Sequence, residues 1–314
     1  MSNVLISTKK EIKKRSDILL KTFLYFSVFK FPLTIDEALK FCQYKTDSIQ
    51  QEINYLVSKK LLFKIDSFYL PKNDKTWVDK RFKESISADK MLIKANKMSF
   101  FISQFPFVEA VLLSGSISKG VFKEDDDIDY FIITAPNRLW VSRTFLILFK
   151  KIFLLNSKKH FCVNYFVSSN ALEIEEKNRF TATELTTLMP MTGNGIYNDF
   201  KNNNLWVYDF FPNFINNNKE SIKVNNSILK SFLEYLLKGK FGTILEKYCM
   251  KITKSHQKNK FKKLKKSDFN LAFKGNKHTS KHHPDNHQVR VINLLNEKII
   301  AFNKKYELSI PLEK

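Results

Sequence analysis

A chain of 314 residues has room for two or three domains, and 43% hydrophobic with 14% aromatic residues is globular composition, for which disorder is not the default. The formal net charge of +22 attracts polyanions, but only six of the 53 basic residues are arginine, so the lysine surplus fits an AT-rich coding bias as well as a nucleic-acid or membrane-surface partner. Cys42, Cys162 and Cys249 are far apart and lack metal spacing, and the most apolar stretch, residues 145–155, is broken by Lys150-Lys151 and too short for a bilayer; core thiols, a reducing cytoplasm and no membrane partner are expected.

In chain order, a polar, lysine-rich leader gives way to an apolar segment of helical length over residues 18–29. Thr34-Ile35-Asp36-Glu37 is a capping box, with Thr34 as N-cap, and opens a short helix to about Phe41. A third helix is expected from Thr46 or Asp47, with Ile49, Ile53, Leu56 and Val57 at helical spacing. Residues 61–65 and 68–70, joined at Asp66-Ser67, read as a hairpin. Three helices and a hairpin resemble a winged helix over residues 15–72, within a first domain of residues 1–75. Such domains often read DNA through the third helix, here carrying Gln50, Gln51 and Asn54. Few basic residues accompany them, which favours protein docking or packing over DNA reading.

A polar linker, residues 73–77, leads into a long helical pattern over residues 78–105 that ends at Pro106. The apolar run 108–113 then has strand length and stops at Ser114-Gly115-Ser116, a turn signal. A second apolar run, 128–133, starts inside an acidic cluster, and side chains two apart on a strand share a face, so Asp127 and Asp129 project together. Two carboxylates at one edge suit a hard divalent cation, Mg²⁺ or Mn²⁺. Gly115 lets backbone approach a ligand, and the amides of Ser116, Ile117 and Ser118 are expected to open a short helix that favours phosphate. A P-loop does not fit, because Val121-Phe122 follows Gly120; an EF-hand from Asp125 fails at Tyr130 and Pro136. The plainer alternative is a strand pair with a solvated acidic turn.

Gly115-Ser116, ten intervening residues, and Asp127-Ile128-Asp129-Tyr130 resemble the signature of the DNA polymerase β-like nucleotidyltransferase superfamily. The minimal branch is the nearest likeness, since Ser118-Lys119-Gly120 sits where those proteins carry a basic residue and a second glycine. The resemblance implies catalytic, metal-holding Asp127 and Asp129, with Gly115, Ser116 and Lys119 positioning an NTP, ATP first among them. It also implies the order strand, turn, strand, helix, strand, which residues 138–155 (helix) and 160–167 (third strand) supply after the break at Pro136-Asn137. One departure stands out. Many members carry a third acidic residue on the later strand, where this chain has Asn164, and an amide cannot take a proton from an acceptor. Glu173, Glu175, Glu176 and Glu184 lie downstream, each expected as an exposed charge.

The fold class expected is α+β: a small mixed-sheet nucleotidyltransferase core over residues 76–170, flanked by helices, between the winged-helix-like domain and a mainly helical C-terminal region over residues 171–314. Helices are expected over residues 181–188, ending at Pro190, and over 196–214, 227–250 and 289–306. Residues 251–281 hold eleven lysines and one acid, Asp268, a solvated charge run or a seat for a polyanion such as RNA. His278, His282, His283 and His287 around Pro284-Asp285 fit no zinc spacing and read as a loop. Three functions follow: transfer of a nucleoside monophosphate to an acceptor hydroxyl, a catalytically degenerate nucleotide- or partner-binding protein, or a DNA-binding regulator.

Overall fold

The computed structural model describes residues 2–157, 159–193, 195–215, 221–264, 269, 272–282 and 286–313. Lys265, Lys266 and Asp268 of the lysine run, and His283-Pro284-Asp285, lie outside the described residues. Three helices open the chain: α1 (Ser2–Ser27), α2 (Ile35–Lys40) and α3 (Gln50–Ser58). The capping box forms as the sequence requires, with Glu37 N donating to Thr34 Oγ1 at 3.2 Å and Thr34 N to Glu37 Oε2 at 2.9 Å. α3 starts later than expected, because Thr46 Oγ1 donates to Ser48 O at 2.8 Å and accepts from Ser48 N at 3.3 Å, while Thr46 N donates to Asn213 Oδ1 at 2.9 Å, which holds the segment in a turn. The hairpin of β1 (Phe63–Ile65) and β2 (Phe68–Leu70) turns at Asp66 with φ +54.

α4 (Lys75–Ser103) carries the chain to β3 (Val108–Ser114), which pairs antiparallel with β4 (Asp129–Thr134). α5 (Leu139–Phe153) crosses over to β5 (Cys162–Ser168), parallel to β4. α6 (Arg179–Thr187), β6 (Met189–Gly193), α7 (Ile196–Asn202), α8 (Val207–Phe210), α9 (Ile228–Leu237), α10 (Lys240–Lys260), β7 (Thr279–Lys281) and α11 (His287–Tyr306) complete the described elements. The sheet runs β6-β3-β4-β5-β7. Its two outer strands come from the stretch that reads as helical. β6 contains Pro190, a sequence-level stop signal, yet it lies at the sheet edge, where proline is tolerated; its outer side is bridged by Ile222, which bonds Met191 and Gly193 and not Pro190. β7 is three polar residues in the lysine run, bonded to Tyr165, Phe166 and Val167 of β5.

Strand alternation divides the core. Val111, Leu113, Tyr130, Ile132 and Phe166 face a layer made by α4 and α5, with Ala95, Ile102, Trp140 and Leu146. Leu112, Phe131, Ile133 and Val167 face Leu172, Ile174, Tyr197 and Phe200. A further core joins Leu20, Phe23, Leu24 and Leu56 of the N-terminal helices to Val291, Leu295 and Ile299 of α11. The architecture is therefore mixed α and β, with one five-stranded mixed sheet and one two-stranded sheet. No helix among the described residues is long and apolar enough to cross a membrane.

Candidate functional site

Alternation along β4 decides where the acids go. Phe131 and Ile133 point away from the α4–α5 layer, so Asp129 does too, and Ile128, fully buried between the aspartates, leaves Asp127 on the same side. The backbone is still paired at Ile128, whose N–H donates to Lys159 O at 3.1 Å and whose carbonyl accepts from Cys162 N at 3.1 Å. Asp127 and Asp129 are both half-buried.

The turn after β3 lies directly against Asp129. Gly115 has φ +72, and a Cβ at this position would stand 2.6 Å from Asp129 Oδ2, so only glycine lets the backbone approach the carboxylate. The expected short helix is a single 3-10 turn, Ile117–Lys119, closed by Gly120 at φ +72. The first amides of any helical turn have no acceptor within that turn. Ser116 Oγ donates to Asp126 Oδ2 at 2.7 Å, and Lys123 N donates to the same oxygen at 3.2 Å, so Asp126 ties the acidic loop to the turn. Lys119 Nζ donates to Gly115 O at 3.0 Å and pairs with Glu184 Oε1 at 2.9 Å. Glu184 is therefore not a free surface charge; α6 delivers it, half-buried, over the turn. Nothing local in the sequence marks that contact. Glu173 and Glu175 are exposed as expected, and Glu175 and Glu176 pair with Lys274.

Asn164 reaches the pair through a β-bulge. Tyr130 faces Val163 and Phe131 faces Tyr165, so Asn164 is an extra residue in β5. Asn164 O accepts from His282 N at 3.0 Å, beyond the end of β7, and Tyr165 stacks on Phe131 with centroids 4.9 Å apart. The Asn164 side chain donates from Nδ2 to Asp129 Oδ1 at 2.8 Å, occupying one carboxylate oxygen.

Burial pushes the Asp129 carboxyl up to about 7, and the charges of Asp127 and Glu184 add to the rise. Among the described residues, no group of three or more His, Cys, Asp or Glu side chains is arranged to hold a metal ion. The chain would thus offer a divalent cation two carboxylates and leave the other positions to water and ligand oxygens. That donor set fits, because a cation would offset the burial and repulsion that raise the Asp129 carboxyl. A cavity of about 320 Å³ lies at the far end of β3, lined by Val108, Gly193, Lys230 and Glu234 among others, away from these acids. No family model, curated protein or solved structure matches the chain, so the meaning of the site rests on its own residues and geometry.

Proposed function

We propose that the protein is a metal-dependent nucleotidyltransferase of the polymerase β-like kind, moving a nucleoside monophosphate from an NTP to an acceptor hydroxyl. The observation that carries this reading is the contact of a glycine turn with Asp129, which supports phosphate and metal meeting in one place. In the reaction, the acceptor oxygen bonds to the α-phosphorus, the bond to the bridging oxygen breaks, and pyrophosphate leaves. Mg²⁺ or Mn²⁺, when bound, would neutralise charge building on the phosphate oxygens. Asp127 and Asp129 would hold it. Gly115 and Ser116 would carry the triphosphate, and Lys119, already bonded to the turn, is within reach of a phosphate seated there. Asn164 cannot accept the acceptor's proton, which leaves water or Glu184, the carboxylate next to Lys119.

Calorimetry tests the site: NTP affinity should require Mg²⁺ and collapse in the double variant Asp127→Ala with Asp129→Ala. Equal binding by both proteins would end this reading. A second reading, a degenerate nucleotide- or partner-binding protein, draws support from the Asn164 amide bonded to Asp129. Transfer by Asn164→Asp together with inactivity of the natural chain across all NTPs and acceptor pools would favour it. For the N-terminal module, the core shared with α11 supports packing over DNA reading, although Gln50, Gln51 and Asn54 are exposed on α3. A reduced cytoplasm fits three buried free cysteines, and RNA remains a candidate polyanion for the lysines beyond Lys251.

A further inference from the structure

On α9 and α10, three charged side chains, Lys230, Glu234 and Glu246, turn toward the protein, while a row of apolar ones turns out. Lys230 Nζ donates to Ser103 O at 2.9 Å and Val108 O at 2.7 Å, and Glu234 Oε1 accepts from Phe107 N at 2.7 Å. Glu246 accepts from Trp140 N at 2.9 Å and Val141 N at 2.8 Å. The elbow between the helices is clamped by Arg138, whose guanidinium donates to Leu237 O at 2.9 Å and Lys238 O at 2.6 Å. Outward, Ile228, Phe232 and Tyr235 follow one another along α9, and Ile244, Tyr248 and Ile252 along α10, with exposures from 50% at Ile252 to 90% at Ile228. Rolling either helix to hide its stripe would strand buried charges and amides. The fold holds this apolar face in the open, and such faces mark interaction surfaces.

Charge indicates what covers it. Glu234 and Glu246 are the only acids in the two helices, and both are spent inward. Lys240, Lys247, Lys251 and Lys258 are exposed and form a row beside the α10 stripe. A second copy of the chain would set lysine row against lysine row across a twofold interface. A single-stranded nucleic acid would stack on Phe232, Tyr235 and Tyr248 but would leave Ile228, Ile244 and Ile252 uncovered, since its backbone offers nothing apolar to bury them. Apolar and aromatic side chains bordered by lysines match the interface of an anionic bilayer.

We propose that α9 and α10 dock the protein on an anionic phospholipid surface, with the stripe toward the acyl chains and the lysines among the headgroups. A helix that lies on a bilayer need not be able to span one. The inference does not depend on the transfer chemistry, because α10 packs on α5, which covers the sheet face opposite Asp129.

The test is co-sedimentation of the full chain with vesicles of phosphatidylcholine alone or mixed with phosphatidylglycerol. Binding should be at least roughly tenfold tighter to the anionic vesicles, falling about fivefold for each of Lys240→Gln and Lys247→Gln. Phe232→Ser with Ile244→Ser should weaken it by about tenfold or more, with circular dichroism unchanged because both side chains are exposed. No vesicle binding would overturn the proposal. So would anionic binding indifferent to the serine pair, which would reduce the face to general polyanion attraction. A dimer that the serine pair dissolves, without vesicle binding, would give the face to a second copy instead.

Discussion

Gly115 and Asp129 are a matched pair, and Gly120 supplies the control that isolates the match. Both glycines have φ +72, but a Cβ on Gly120 meets nothing within 4 Å, whereas one on Gly115 meets Asp129 Oδ2 at 2.6 Å. Gly120→Ala should therefore cost only the left-handed backbone term, about 1–2 kcal/mol. Gly115→Ala should cost more and should also weaken NTP binding; equal losses in urea unfolding would show that the close contact contributes nothing. Asp129 carries a cost of its own. Its carboxyl rises from 3.8 to about 7 on folding, chiefly through burial, so between those values the folded chain binds a proton that the unfolded chain has released. Stability then falls as pH rises through that window. Asp129→Asn removes the penalty: its melting temperature should exceed that of the wild type at about pH 8, with the gap narrowing as pH falls and closing near about pH 4. Mg²⁺ should narrow the gap at the alkaline end by stabilising the wild type alone. A gap independent of pH would show that Asp129 titrates normally.

Between elements, α10 supplies the cap that α5 lacks. Arg138 stands at the N-cap of α5 without a side-chain cap bond, and Glu246 instead reaches across to accept from Trp140 N and Val141 N. Glu246→Ala should cost about 1–3 kcal/mol for each stranded amide. A drop below about 0.5 kcal/mol in denaturant unfolding would mean that water replaces the carboxylate. This cap was not legible in the sequence, whereas the Thr34 box was, because its two partners are three residues apart. The same distinction separates the strands. β3, β4 and β5 could be read from apolar runs and turn residues, and the aspartates from their period of two. β6 and β7 are short, carry proline or polar residues, and take their register from distant partners. The contact of Asn164 with Asp129 depends on a bulge, which a period of two cannot reveal. Glu184 reaches Lys119 only because β6 and α6 fold back along β3.

Across the whole molecule, the first three helices share their core with the last helix, and a buried charge cluster joins the same parts. Glu313 Oε2 lies 2.8 Å from Lys21 Nζ of α1 and 3.0 Å from Arg179 Nε of α6, with all three side chains buried. Asn296 of α11 holds the Glu313 backbone in place, donating to its carbonyl at 2.9 Å and accepting from its N–H at 2.8 Å. Among the described residues Arg179 Nη1 and Nη2 have no hydrogen-bond partner, and the guanidinium sits near the rings of Tyr25 and Phe211, 5.8 and 5.9 Å from their centroids. Burial opposes ionisation of Glu313, yet Arg179 and Lys21 outweigh it and hold the carboxyl below 4.5; for the Lys21 ammonium burial wins and its pKa is lowered. Because the folded pKa of Glu313 is depressed, its contribution is present above about 4.5 and is lost as pH falls further. Glu313→Gln keeps the shape but leaves two buried cations without a carboxylate, at a cost of about 3–5 kcal/mol. Hydrogen exchange should then quicken in α1, α6 and α11 together while β3 and β4 stay protected. Loosening confined to the residues next to Glu313 would show instead that the N-terminal helices stand without this anchor.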